Sequence, residues 1–199
     1  MITSINQLDL NKQYTYADYL SWKIQERVEL LKGYLFPMAG PNVAHQRISH
    51  NLDGHFWYHF QNHSCDVFTA PFDVRLPLPK HRIKEDKINT VVQPDLCVVC
   101  DESKLDKNGC LGAPDLVVEI LSPGNSRREM RDKYELYEQA GVLEYWIIEP
   151  EKRFVLRHNL GQDGKFIILP YLMDNDILRS SVFEGLEIDL TKIFPKQKL

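Results

Sequence analysis

A chain of 199 residues, 43% hydrophobic and 26% charged, can bury a core of its own and is short for two full domains, so one domain over residues 1–199 is expected. This composition excludes a disordered or fibrous chain, and 24 basic against 28 acidic side chains exclude attraction to nucleic acid by net charge alone. No apolar run is long enough to cross a bilayer, and Met1–Gln13 lacks a basic stretch followed by an apolar one, so no membrane partner and a cytoplasmic location are expected.

In chain order, Thr15-x-x-Asp18 reads as a variant capping box opening a short helix. Arg27 to Met38, with Lys32-Gly33 at its centre, reads as a hairpin. From Val43 to Phe60, Ala44, Ile48, Leu52, Phe56 and Phe60 recur every four residues, the spacing of an amphipathic helix with a histidine-rich polar side. Val67 to Pro79 reads as a strand in which Pro71, Pro77 and Pro79 restrict pairing, and a charged loop follows from Lys80. Two apolar runs, Val91 to Cys100 and Asp115 to Leu121, belong to strands buried on both faces, with a polar loop carrying Asn108-Gly109 between them. Ser126-x-x-Glu129 reads as a capping box, and its helix should end near Ala140 with Gly141 as a left-handed stop. Val142 to Glu149 then forms a strand, and Phe154–His158 with Phe166–Leu169 forms a closing hairpin. This order of elements predicts an α/β fold, a mixed sheet flanked by helices. The cysteines Cys65, Cys97, Cys100 and Cys110 read as free thiols: Cys97 and Cys100 lie three apart on a strand and so face opposite sides.

The informative residues are charges in costly places. Glu119 interrupts Asp115-Leu116-Val117-Val118-Glu119-Ile120-Leu121, and Asp95 interrupts the run before it. A buried, unpaired carboxylate costs several kcal/mol or takes up a proton, whereas a divalent cation between two of them offsets that cost. Either acid could instead end a strand, cap a helix or pair with an arginine such as Arg75 or Arg131. Lys133 falls on the apolar stripe of its helix with Met130, Tyr134 and Tyr137. Its ammonium could neutralise the acids, orient water or stabilise phosphate charge, or its stem could snorkel to solvent. Glu29, between Val28 and Leu30, reads by itself as a solvated strand residue. His55 and His59 are four apart, but without a glutamate between them they read as a polar border and not as a zinc site.

Glu29-Leu30-Leu31-Lys32-Gly33, Gln93-Pro94-Asp95, Gly112 to Pro123, Lys133-x-x-x-Tyr137 and Gly141-Val142-x-Glu144-Tyr145-Trp146 together resemble the PD-(D/E)XK nuclease superfamily. The match is closest to its bacterial restriction-endonuclease-like family of the Uma type, and it covers nearly the whole chain. The resemblance implies a restriction-endonuclease-like mixed sheet flanked by helices, with an additional C-terminal hairpin. It implies Asp95 and Glu119 as metal carboxylates, the backbone carbonyl of Ile120 as a further metal ligand, and Glu29 as the acid from the N-terminal region. The chain departs from the pattern two residues after Glu119, where Leu121 stands in place of lysine. Lys133 on the following helix takes that place, Tyr137 stands one turn on, and His45 matches a family histidine without an assigned role.

The implied activity is a Mg2+-dependent endonuclease hydrolysing DNA phosphodiester bonds, with Mn2+ as a substitute ion, DNA as the partner and a homodimer as the assembly. The alternative is a catalytically inactive nuclease fold serving as a DNA-binding or protein-interaction module, for which Leu121 and the acidic net charge argue. A third reading is hydrolysis of a smaller phosphate ester. The closing hairpin and the tail Phe183 to Ile188 could form an interface or protect a sheet edge.

Overall fold

The structure, a computed structural model, describes residues 1–38, 40–78, 87–122 and 127–194, with the backbone alone at 127–129. The charged loop expected from Lys80 and the capping box expected at Ser126 fall outside the described residues.

The Thr15 capping box forms, its hydroxyl and the Asp18 carboxylate each accepting the other's backbone N–H, and opens α1 (Tyr16–Ser21). The hairpin is β1 (Val28–Leu31) and β2 (Tyr34–Pro37), turning through Lys32 and Gly33 at φ 53° and 87°. Two positive φ values match the twist of the flanking strands, and Gly33 adopts its value without strain. Helix α2 (Val43–Phe60) is capped by the Asn42 side chain, which accepts from the His45 N–H at 2.8 Å.

The strand expected over Val67–Pro79 divides into β3 (Asp66–Thr69) and β4 (Val74–Arg75), which lie in different sheets. Pro71, which has no N–H to give to a ladder, stands at the break. The run Val91–Cys100 divides likewise, into β5 (Val91–Val92) and β6 (Leu96–Val99), with Gln93-Pro94-Asp95 crossing between the sheets. The polar loop after it contains an unforeseen hairpin, β7 (Leu105–Asp106) and β8 (Gly109–Leu111). Then come β9 (Leu116–Ile120), α3 (Arg127–Ala140) and β10 (Glu144–Glu149), with Gly141 at φ 85° ending α3 as expected. The closing hairpin is β11 (Phe154–Leu160) and β12 (Phe166–Met173), and the chain ends through β13 (Ile177–Arg179), β14 (Glu187–Asp189) and α4 (Leu190–Ile193).

The mixed sheet flanked by helices is present as two six-stranded sheets. The first runs β2-β1-β5-β4-β8-β7 and the second β12-β11-β10-β9-β6-β3; β13 and β14 pair separately. In the second sheet β9 is parallel to β10 and antiparallel to β6, which puts it in the interior of the ladder. Its alternation divides the core. Leu116, Val118 and Ile120 face α2 residues Ile48, Leu52, Phe56 and Phe60, whereas Val117 joins Leu136, Tyr137 and Ala140 of α3. Phe183, Leu186 and Ile188 lie buried in the α2-side core, while Glu184, Gly185 and Glu187 between them are exposed.

One correction concerns cysteine. Cys65 and Cys100 form a disulfide, because the β3–β6 register that pairs Asp66 with Val99 sets them opposite one another, 4.0 Å apart at Cα. Cys97 and Cys110 are buried free thiols, as expected.

Phe56 is fully buried and meets Trp146 edge-on, with ring centroids 5.7 Å apart, fixing α2 to the second sheet. Phe56→Ala should cost about 3–5 kcal/mol of stability, read from urea unfolding midpoints, and a loss below about 1 kcal/mol would show that α2 docks by other contacts.

Candidate active site

The parity of β9 that sends Val117 toward α3 sends Glu119 the same way, and the apolar stripe of α3 brings Lys133 and Tyr137, one turn apart, over it. Lys133 Nζ donates to Glu119 Oε1 at 3.0 Å and to Oε2 at 3.1 Å, and the Tyr137 hydroxyl donates to Oε1 at 2.6 Å. The same ammonium stands 3.0 Å from Glu29 Oε1 on β1. Glu29 is therefore not a solvated strand residue: only 1% of it is exposed, because the first sheet packs inward over α3 at this point. Its Oε1 also accepts the Gln93 backbone N–H at 2.7 Å.

Asp95 sits at the crossing between the sheets. Its Oδ2 accepts the backbone N–H of Ile120 at 2.7 Å, which joins it to the residue after Glu119. Its Oδ1 lies 3.2 Å from Nε2 of His45, a buried residue of the first turn of α2. Neither acid pairs with Arg75, which reaches Asp106 instead at 2.7 Å. Asp95, Glu119, Ile120 and Lys133 line one cleft of about 130 Å³, together with His45, Gln46 and Arg27. All four residues expected to act, Asp95, Glu119, Lys133 and Glu29, thus meet within one neighbourhood.

Burial raises the pKa of Glu119 to about 7 against the pull of Lys133, with the negative charges of Glu29 and Asp95 adding to the rise. Burial opposes charge on Lys133 too, but the two carboxylates at 3.0 Å outweigh it and hold the ammonium protonated well above its ordinary range. Burial and the Glu119 carboxylate also keep the Tyr137 hydroxyl protonated, as a donor.

Glu29 and Glu119 share Lys133, and Asp95 adds a third carboxylate to the neighbourhood, so that its oxygens suit a hard cation. Among the described residues, no three or more His, Cys, Asp or Glu side chains are grouped to cage a metal. Two carboxylates and a backbone carbonyl are hard oxygen donors, of the kind a divalent cation takes.

The pattern of the sequence gives Arg27 no role and includes Gln93 only within the Gln93-Pro94-Asp95 motif. Arg27 Nε donates to the Gln93 side-chain oxygen at 3.0 Å, and Gln93 Nε2 donates to Asp73 Oδ1 at 2.8 Å. A polar residue next to a candidate ligand was the only available signal.

A family model described as "Uma2: Putative restriction endonuclease" matches residues 16–191. "Uncharacterized protein slr1290" of Synechocystis sp. is 24% identical over 178 residues, covering 87% of this chain and 88% of that protein. "Uncharacterized protein sll1609" of the same organism is 23% identical over 151 residues, covering 74% and 80%. The crystal structure of "a putative nuclease belonging to DUF820" from Anabaena variabilis superposes with a TM-score of 0.70 at 18% identity, over 91% of this chain and 97% of that one. That likeness shows the fold. Among the described residues no helix is long and apolar enough to cross a membrane.

With Glu119 ionising near its ordinary 4.5 when unfolded and near 7 when folded, the folded state holds the extra proton between these values. The stability this contributes is full below about pH 4.5 and is lost as pH rises toward 7. The unfolding free energy of the wild type minus that of Glu119→Gln should therefore fall from pH 4.5 to pH 7 in urea titrations, and a flat or rising difference would refute the shift.

Proposed function

The chain belongs to the Uma2 family, and from that membership and the geometry of its cleft we propose that it is a Mg2+-dependent endonuclease hydrolysing phosphodiester bonds in DNA. The observation that carries this reading is the convergence of Asp95, Glu119 and Lys133 on one cleft, with Glu29 behind them. Asp95, Glu119 and the backbone carbonyl of Ile120 would hold the cation, for which Mn2+ would substitute. A bound Mg2+ would supply Lewis-acid polarisation of the scissile phosphate. Lys133, protonated across the neutral range, is suited to orient the attacking water and to stabilise charge growing on the phosphate oxygens, and poorly suited to remove a proton while both carboxylates hold it. Glu29 sets the place of that ammonium. We take residues 1–199 to act as one domain in the cytoplasm, where the substrate lies, and as a homodimer, since a two-fold pair presents two clefts to two strands.

One observation favours a second reading, an inactive nuclease fold that binds DNA or protein. Both oxygens of Glu119 already accept from Lys133, so a cation at Glu119 must compete with that pair.

Supercoiled plasmid discriminates between the two. Nicking should require Mg2+ or Mn2+, stop with EDTA, disappear in Asp95→Ala and Glu119→Ala, and fall by about 10²–10³-fold in Lys133→Ala, with folding checked by circular dichroism. Metal-independent DNA binding without strand breaks would replace the enzyme by the binding module.

A further inference from the structure

Every acid of the cleft is already met by a donor other than Arg27. Lys133 and the Gln93 N–H serve Glu29; the Ile120 N–H serves Asp95, with His45 Nε2 3.2 Å from its other oxygen; Lys133 and Tyr137 serve Glu119. Arg27 lines the same cleft, immediately before β1, and forms no ion pair among the described residues. Its one side-chain hydrogen bond among those residues runs from Nε to Gln93 Oε1, at 3.0 Å. Its Nη2 is buried and has no partner among the described residues. A buried guanidinium donor left without an acceptor is costly, so water, an ion or a ligand is expected to meet it.

The placement of Arg27 is built. Its backbone carbonyl accepts the Met38 N–H at 2.9 Å, across the hairpin. Gln93 Nε2 donates to Asp73 Oδ1 at 2.8 Å, and Tyr19 donates its hydroxyl to the same oxygen at 3.3 Å. Since Asp73 accepts, the Gln93 amide must turn its nitrogen that way, which leaves its oxygen for Arg27. The Gln93 backbone N–H meanwhile holds Glu29. One residue thereby orients an acid of the site with its main chain and a cation with its side chain.

We infer that Arg27 is the phosphate-binding residue of the cleft, taking a non-bridging oxygen of a nucleic-acid phosphodiester on its unpaired N–H edge, and that Gln93 is its positioning residue. The planar fork of guanidinium matches phosphate oxygens, and a fork held in place beforehand loses little freedom on binding. With Glu119 ionised, Glu29, Asp95 and Glu119 against Lys133 and Arg27 leave one net negative charge in and just behind the cleft, which a divalent cation would turn to one positive and so suit it to a phosphodiester anion. The ligand class rests on the phosphodiester reading above; the binding role of Arg27 does not depend on cleavage.

The test is binding of a fluorescein-labelled 20-base-pair duplex, followed by anisotropy in EDTA over a range of salt, for the wild type, Arg27→Gln and Arg27→Lys. Arg27→Gln should bind about 10- to 100-fold more weakly. The slope of log affinity against log salt should lessen by about 0.9, a change that loss of a merely structural contact would not produce. Arg27→Lys should restore the slope and only part of the affinity, because charge is kept and the fork is lost. Wild-type affinity and slope in Arg27→Gln would overturn the inference. If the wild type binds no duplex either in EDTA or with a divalent cation added, the nucleic-acid reading fails, and the Arg27 Nε–H resonance titrated with inorganic phosphate then decides. A saturable shift would keep Arg27 as a site for a small phosphate ester, and no shift would overturn the proposal.

Discussion

Lys133 reaches from α3 into the space between the sheets, its ammonium 3.0 Å from Glu29 of the first sheet and 3.0 Å from Glu119 of the second. Moving any one of these charges out of water alone would cost several kcal/mol. Together they are tolerable, and the Tyr137 hydroxyl and Gln93 N–H supply the donors that the lone ammonium cannot. The ion-paired group therefore ties α3, β1 and β9 to one point, and the geometry that closes the core is the geometry of the site. A displacement of α3 would break both.

The position of Asp95 follows from a different constraint, the crossing of a continuous strand run from one sheet to the other. Over Gln93-Pro94-Asp95 the chain leaves the ladder with β1 and β4 and enters the ladder with β9 and β3. Pro94 offers no N–H, and the neighbouring polar groups are turned to local use. The Gln93 N–H goes to Glu29, the Asp95 carbonyl accepts from Ala70, and the Asp95 side chain takes the Ile120 N–H. A carboxylate at a sheet crossing keeps one oxygen near the cleft while the other is held by the backbone, a combination that a residue in mid-ladder would not have.

Features with local causes were legible in the sequence. The limits of α2, the Lys32-Gly33 turn and the Gly141 stop follow from apolar spacing and from positive φ, which act over a few residues. Features set by distant partners were not. Val91–Cys100 reads as one strand because nothing along it records that the neighbouring strand changes. Glu29 reads as solvated because its burial depends on α3, about a hundred residues on. Cys65 and Cys100 pair through a register that neither segment specifies. Glu144 was quoted only as part of a motif, yet it is fully buried and accepts from Trp146 Nε1 at 2.9 Å and from the Ser181 N–H at 3.2 Å, joining the C-terminal turn to β10. Of the site, the two acids and Lys133 were legible because each breaks an apolar pattern, whereas Arg27 stands in a polar stretch and breaks none.

The move of the lysine from the strand to the helix has a physical consequence. Val117 and Glu119 share one face of β9, and Leu121, just past its end, packs beside the cluster formed by Leu136, Tyr137 and Ala140. With leucine there, the strand end contributes packing and no charge. The cation comes instead from the buried stripe of α3, where Lys133 and Tyr137, four residues apart, both meet Glu119. A strand lysine would be positioned by the ladder that holds Glu119 itself. A helix lysine is positioned by the docking of α3, and so by Leu136, Tyr137, Ala140 and the Glu29 carboxylate of the other sheet. Packing far from the cleft thereby sets the distance between cation and acid, and in this fold the apolar face of α3 is part of the chemistry.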